Sequence, residues 1–402
     1  MTPDEARDLA RLGGRAATGV AGLVEHTHHG VTERVYRAVG VLTGGASRPV
    51  HVLHDLAARH TFFWVRHGLG AAGWLAAALS PYAVRDGESA LAGVRAQSAL
   101  GIVNGVTGHR LAEDGSSLAF RMSLRVDGRD VAPTPDGLAA AYGTGDAAET
   151  GPARVVVFLH GLVETEHSWR FRSRQRWGQA GTSYASLLAQ ETDWRPVQVR
   201  YNSGEPIAAN AEVLGTLLGD LVRGFPGGVG ELVVVGHSMG GAEVLRVLAL
   251  APDRVRKIVA ITPVGAEPTP LDEAGHDLFY GAPEDPAKRF GIIDFTTGNR
   301  NTATWVQSVV DHSLSHSTVE GFRGALVAWV TPDFLSEVAG LPHPILVIPG
   351  EHDPALGEAT VRQTYAPHFP HAQIEVMPNA GHYPMFETPV QLATVIERFL
   401  AG

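Results

Sequence analysis

Leu232-Val233-Val234-Val235-Gly236-His237-Ser238-Met239-Gly240 runs from four apolar residues into a Gly-x-Ser-x-Gly turn. The apolar run predicts a buried strand, and Ala242 to Leu250, ended by Pro252, predicts a helix. A strand that breaks so abruptly before a helix forces the serine onto a sharp, strained turn. Its hydroxyl is then exposed at the sheet edge, with a backbone N–H beside it and a helix N-terminus behind it. Glycines suit the flanking positions because the two backbones nearly touch there.

A serine hydroxyl is a poor nucleophile until an imidazole takes its proton. The imidazole needs a carboxylate to hold its tautomer and stabilise its charged form. In a strand–turn–helix elbow these partners follow in the order serine, acid, histidine, each after a later strand. Pro344 to Pro349 reads as a buried strand, and Gly350-Glu351-His352-Asp353-Pro354 follows as a turn that presents Asp353. Gln373 to Met377 alternates as a strand, and Pro378-Asn379-Ala380-Gly381-His382 follows as a loop. Ser238, Asp353 and His382 are thus the candidate catalytic residues. Glu267, after the preceding strand, is the other place for the acid.

These residues carry a resemblance to the α/β-hydrolase superfamily of serine esterases and lipases, from roughly Leu118 to Leu400. The resemblance implies a mostly parallel eight-stranded sheet with flanking helices and a helical cap after the sixth strand. It makes Ser238 the nucleophile, Asp353 the acid and His382 the base. His160-Gly161-Leu162, after the strand Arg154 to Leu159, resembles the family's His-Gly turn, which implies that the Leu162 and Met239 amides form the oxyanion hole. The front part, with Leu159 to Val163 and Arg200-Tyr201-Asn202-Ser203-Gly204, resembles bacterial inositol-deacylase-like lipases. The back part, with Gly350 to Pro354 and Asn379-Ala380-Gly381-His382-Tyr383-Pro384, resembles the capped enol-lactonase and epoxide-hydrolase branch. Serine at 238, where dehalogenases and epoxide hydrolases carry aspartate, points to acyl transfer to water. Lactones, thioesters and C–C substrates use the same triad. A non-catalytic binding role on this fold is the remaining alternative.

The rest of the chain divides around this core. Residues 1–105 read as helical, through Ala6 to Val24, Val31 to Leu42, Val50 to Val65 and Gly70 to Leu79, with glycines and alanines suited to close helix contact. Thr2 and Glu5 form a capping-box pattern with Pro3 at the first helical position. Residues 106–263 and 342–402 are expected to form the two parts of the hydrolase core. Leu118 to Arg125 and residues 129–132 are read as a hairpin turning at Asp127-Gly128. Residues 264–341 form the expected cap, whose aromatic residues, Trp305 and Trp329 among them, would line an apolar pocket with His160, Gly161 and His237. His312 and His316 share a helical face near Asp311, but no third or fourth metal ligand accompanies them.

Composition narrows the function classes. With net charge −10 and no cluster of lysine or arginine, a nucleic-acid role is disfavoured. The absence of cysteine rules out disulfides, thiol catalysis and thiolate metal sites. Triad chemistry asks for no cofactor, and the expected partner is a small apolar ester. Acid near Met1 in place of a basic n-region predicts no secretory signal and a cytoplasmic protein. The apolar stretch Gly68 to Leu79 is too short to span a bilayer, and membrane-surface contact through the N-terminal helices stays open.

Overall fold

The computed structural model describes residues 2–402 apart from 43–46, 84–88, 90, 144–150, 172, 270, 297, 301, 305, 308–309 and 311–318. The chain forms two compact units, residues 1–96 with 116–118, and residues 97–115 with 119–402.

The first unit is built on two long helices, Pro3–Leu42 and Arg48–Ala83. The four shorter helices expected from the sequence merge into these two. Gly30, Gly68 and Gly70 lie inside them. A mid-helix glycine costs only about 1 kcal/mol relative to alanine, which packing along a long hairpin offsets. At the crossing a Cβ on Gly73 would stand 2.6 Å from the Gly14 Cα, so only glycine allows the approach. The first helix opens on the expected capping box: Glu5 N–H donates to Thr2 Oγ1 at 3.1 Å, and Thr2 N–H to Glu5 Oε2 at 2.9 Å.

Most of the helix Val94–Glu113 belongs to the second unit. Its Gln97 accepts a hydrogen bond from Arg200, and Asn104 Oδ1 accepts the Phe120 N–H at 2.7 Å. That second bond corrects the expected first strand. With the amide of Phe120 spent on a helix side chain, pairing begins only at Ser123 and not at Leu118.

The described strands are β1 (Ser123–Val126), β2 (Arg129–Val131), β3 (Ala153–Leu159), β4 (Trp194–Arg200), β5 (Val229–His237), β6 (Lys257–Ile261), β7 (Ile345–Ile348) and β8 (Ala372–Ile374). They form one sheet in the order β2-β1-β4-β3-β5-β6-β7-β8. β1 pairs antiparallel with β2 and β4, and every later pairing is parallel. The β1–β2 turn is Asp127-Gly128, both at positive φ (50° and 77°), which matches the twist of a two-residue hairpin. The expected strand at 373–377 ends early as a ladder, although Glu375 and Met377 still donate to the Val347 and Pro349 carbonyls.

The parallel strands are apolar on both faces because helices cover both. Val155, Val157, Val234, Ile258 and Val347 pack under the helices Ile207–Gly224 and Met239–Leu250. Val156, Phe158, Val235, Val259 and Leu346 face Tyr184 and Leu188 of Tyr184–Glu191 and Leu392, Val395 and Ile396 of Pro389–Ala401. Between β6 and β7 come the helices Glu273–Gly281, Pro286–Thr296 and Val319–Val330, which share a small core of Phe279, Ile292, Leu326 and Val330.

Candidate active site

β3 has β4 on one side and β5 on the other, so the sheet changes winding direction there. Open α/β sheets bind ligands at the carboxyl ends of strands beside such a point. Ser238 sits at that end of β5, one residue before the helix Met239–Leu250, with φ 55° and ψ −118°. This backbone region is costly for any residue but glycine, so its surroundings must hold it there. Ser238 N–H donates to Ile261 O at 3.0 Å, while its carbonyl accepts Gly241 N–H at 3.0 Å and Val264 N–H at 3.1 Å. A Cβ on Gly236 would lie 2.3 Å from Gly240 O, which explains the glycine pair.

The three predicted catalytic side chains come together at this turn. His382 Nε2 lies 3.2 Å from Ser238 Oγ, placed to receive the hydroxyl proton. His382 Nδ1–H donates to Asp353 Oδ2 at 2.7 Å. Asp353 Oδ1 accepts the Ala355 and Leu356 amides at 3.1 and 3.0 Å, so the buried carboxylate is held from both sides. Burial favours a protonated Asp353, but His382 and the two amides outweigh it and keep the carboxyl below its usual range. Burial also opposes charge on His382, and Asp353 outweighs that, raising its pKa. Glu267, the alternative acid, lies 3.8 Å from His368 and does not line the cavity around Ser238.

The loop after β3 passes over the serine. A Cβ on Gly161 would stand 3.2 Å from the Ser238 Cβ and 2.8 Å from His237 Nδ1. Gly161 N–H donates to Glu164 Oε2 at 2.9 Å, and Val163 N–H to Ser203 Oγ at 3.1 Å. The Leu162 amide between them makes no hydrogen bond among the described residues. Met239 is the first residue of its helix, where amides lack intrahelical partners.

Glu164 was not legible as a site residue. Its carboxylate also lies 3.3 Å from His237 Nδ1, and His237 Nε2–H donates to the His382 carbonyl at 3.0 Å. Burial pushes Glu164 toward the neutral acid, but His237 and the Gly161 amide outweigh it and lower its pKa. Behind the same loop, Tyr201 hydroxyl donates to the His160 carbonyl at 2.6 Å and its ring stacks on the imidazole.

A cavity of about 280 Å³ opens on Ser238, His382 and Asp353. His237, Leu162, Met239 and Trp329 line it, as do Phe279, Ile292, Phe322 and Leu326 from the cap. His160 and Gly161, expected in the pocket, are not part of its lining. His160 is fully enclosed, and burial lowers its pKa. Its Nδ1–H donates to Gly161 O at 2.9 Å, so it shapes the loop from behind. Trp305, Asp311, His312 and His316 lie outside the described residues.

The family model described as alpha/beta hydrolase family matches residues 156–395, more than half of the chain, and the protein belongs to that family. The chain is similar to esterase YbfF of Escherichia coli (strain K12), 28% identical over 181 residues, which covers 43% of this chain and 68% of that one. It is similar to the 2-hydroxymuconate semialdehyde hydrolase of Pseudomonas putida, 27% identical over 184 residues, covering 43% and 64%. The match thus spans about two thirds of the length of these two relatives. With the sn-1-specific diacylglycerol lipase ABHD11 of Mus musculus it shares 27% identity over 326 residues, covering 75% of this chain and 96% of the relative.

Proposed function

We propose that the protein is a serine hydrolase of carboxylic esters that works through an acyl-enzyme. The observation that carries this is the single imidazole of His382, 3.2 Å from Ser238 Oγ and 2.7 Å from the buried Asp353. Ser238 Oγ attacks the ester carbonyl carbon as its proton passes to His382 Nε2, and Asp353 stabilises the imidazolium. The Leu162 and Met239 amides receive the oxyanion; such a donor contributes about 3–4 kcal/mol of transition-state stabilisation. Collapse of the tetrahedral intermediate breaks the bond to the alkoxy oxygen, which takes the proton from His382 and leaves as the alcohol. A water then gives a proton to His382 as it attacks the acyl carbon; collapse breaks the bond to Ser238 Oγ, which takes that proton back, and the acid is released. No step calls for a cofactor.

The cavity supports a neutral, apolar acyl group. Among the described residues its lining holds the carboxylates Glu164 and Asp353 and no lysine or arginine, so a substrate carboxylate would meet repulsion. This favours an ester over the charged substrate that the name of the Pseudomonas putida relative suggests for that protein. A fluorophosphonate probe is expected to label Ser238, with Ser238→Ala abolishing both labelling and ester turnover. Labelling at another residue, or an active alanine variant, would end this reading.

A further inference from the structure

The helix Arg48–Ala83 turns a broad apolar face outward. Trp74 is 71% exposed, Trp64 61%, and Val52 and Leu56 68% each, with Phe63, Leu75 and Leu79 also exposed. At 3.6 residues per turn, Val52, Leu56, Phe63 and Trp74 share about 40° of the circumference; Trp64, Leu75 and Leu79 widen the face to about 180°, with the exposed His60 and His67 between the two groups. Clustered exposed apolar surface of this extent marks a contact site, where scattered single residues do not. A stripe that receives one packed neighbour is narrower, about 100°. A face nearly twice that width suits a medium that moulds itself to the helix.

Charge names the medium. The chain as a whole carries −10, yet this helix holds Arg48, Arg59 and Arg66 against one carboxylate of its own, Asp55; Arg66 pairs with Glu25 of the neighbouring helix at 3.2 Å, and Arg48 and Arg59 are exposed. His29, His51 and His54 surround that carboxylate at 3.9, 3.5 and 3.7 Å. The three arginines fall within about 20° of one another, beside the line of Val52, Leu56, Phe63 and Trp74. A basic edge next to an apolar face with exposed tryptophans is the pattern of a helix lying in the headgroup region of anionic lipid. Among the described residues no helix is long and apolar enough to cross a membrane, so the contact is along the surface. We propose that this helix seats the protein on an anionic lipid surface, its apolar face at the headgroup–acyl boundary and Arg48 and Arg59 against lipid phosphates.

The test is co-sedimentation of the full chain with vesicles of equal parts phosphatidylglycerol and phosphatidylcholine, with phosphatidylcholine vesicles, and without lipid. Light scattering in lipid-free buffer reports the oligomeric state alongside. At least about ten-fold more protein should pellet with the anionic vesicles than with the neutral ones, and about 0.5 M salt should remove most of that preference. The combined variant Leu56→Ser, Phe63→Ser, Trp74→Ser should stay in the supernatant while hydrolysing a water-soluble ester at the wild-type rate. Arg48→Ala with Arg59→Ala should narrow the gap between the two vesicle types. Wild-type protein that pellets with neither vesicle overturns the proposal. So does a wild-type dimer that the triple variant converts to monomer with no lipid binding by either, which assigns the face to a second copy. The wild-type arms decide the matter even if the triple variant fails to fold.

Discussion

His237 donates from Nε2 to the carbonyl oxygen of His382 at 3.0 Å, so the residue before the serine holds the loop that carries the proposed base. Through Nδ1 the same ring meets Glu164, whose carboxylate also fastens Gly161 of the loop over the serine. Two side chains thereby tie together the Ser238 turn, the His382 loop and the loop after β3. Glu164→Gln keeps an acceptor for Gly161 and removes the charge. We expect kcat to fall about ten-fold, equivalent to about 1.4 kcal/mol, with KM nearly unchanged. Steady-state kinetics on one ester checks this; an unaltered kcat would remove the positioning role.

Asp353 raises the pKa of His382, and in the proposed mechanism Ser238 needs His382 neutral to give up its proton. Activity should therefore rise with pH through the His382 titration in the free enzyme. Asp353→Asn takes away the influence that raises this pKa, so the acid limb of kcat/KM should move to lower pH. Turnover should drop on the order of 10⁴-fold. A limb that stays in place would show that another group controls it.

Glu243, in the helix behind the serine, is fully buried and accepts a hydrogen bond from Asn210 at 3.0 Å. Burial pushes its pKa up to about 8. The folded state thus keeps a proton that the unfolded chain releases above its ordinary carboxyl range. Between those two values stability should fall by about 1.4 kcal/mol per pH unit from this group, then level off above the folded pKa. Glu243→Gln removes the titration and retains an acceptor for Asn210. Its melting temperature should gain on the wild type from pH 5 to pH 8; a constant difference across that range contradicts the assignment.

Trp329 and Phe279 meet edge to face at 5.3 Å in the lining of the cavity, whose volume of about 280 Å³ is small for a ligand pocket. Short acyl esters should be hydrolysed faster than long ones. Trp329→Ala should shift the preference toward longer acyl chains, since each further methylene that finds room contributes about 0.8 kcal/mol. A chain-length series of p-nitrophenyl esters reads this directly. Wild-type preference for the longest chain would mean that the acyl group lies elsewhere.

Ser238 and Asp353 were placed from the chain because each stands just beyond an apolar run rich in β-branched residues, and His382 because it follows the alternating stretch Gln373 to Met377. Such runs make buried parallel strands, and the turns after them converge at one edge of the sheet. The fold class followed from the same alternation, with glycines at 236 and 240 where two backbones touch. Glu164 left no comparable trace. Its partner His237 is 73 positions away, and nothing in spacing links a loop carboxylate to an imidazole in another turn. Helix continuity through Gly30, Gly68 and Gly70 was equally hidden, since local propensity argues for breaks and packing against a neighbouring helix overrides it.

The order of residues alone thus determined the strands, the sharp turn and the sequence of chemical groups along the sheet edge, because these depend on local apolar patterning and backbone sterics. Tertiary structure decided which carboxylate meets the imidazole, that Asp353 and not Glu267 faces His382, and which aromatic residues of the cap reach the serine. Those choices rest on contacts between segments far apart in the chain, where distance and burial are set by how whole layers pack.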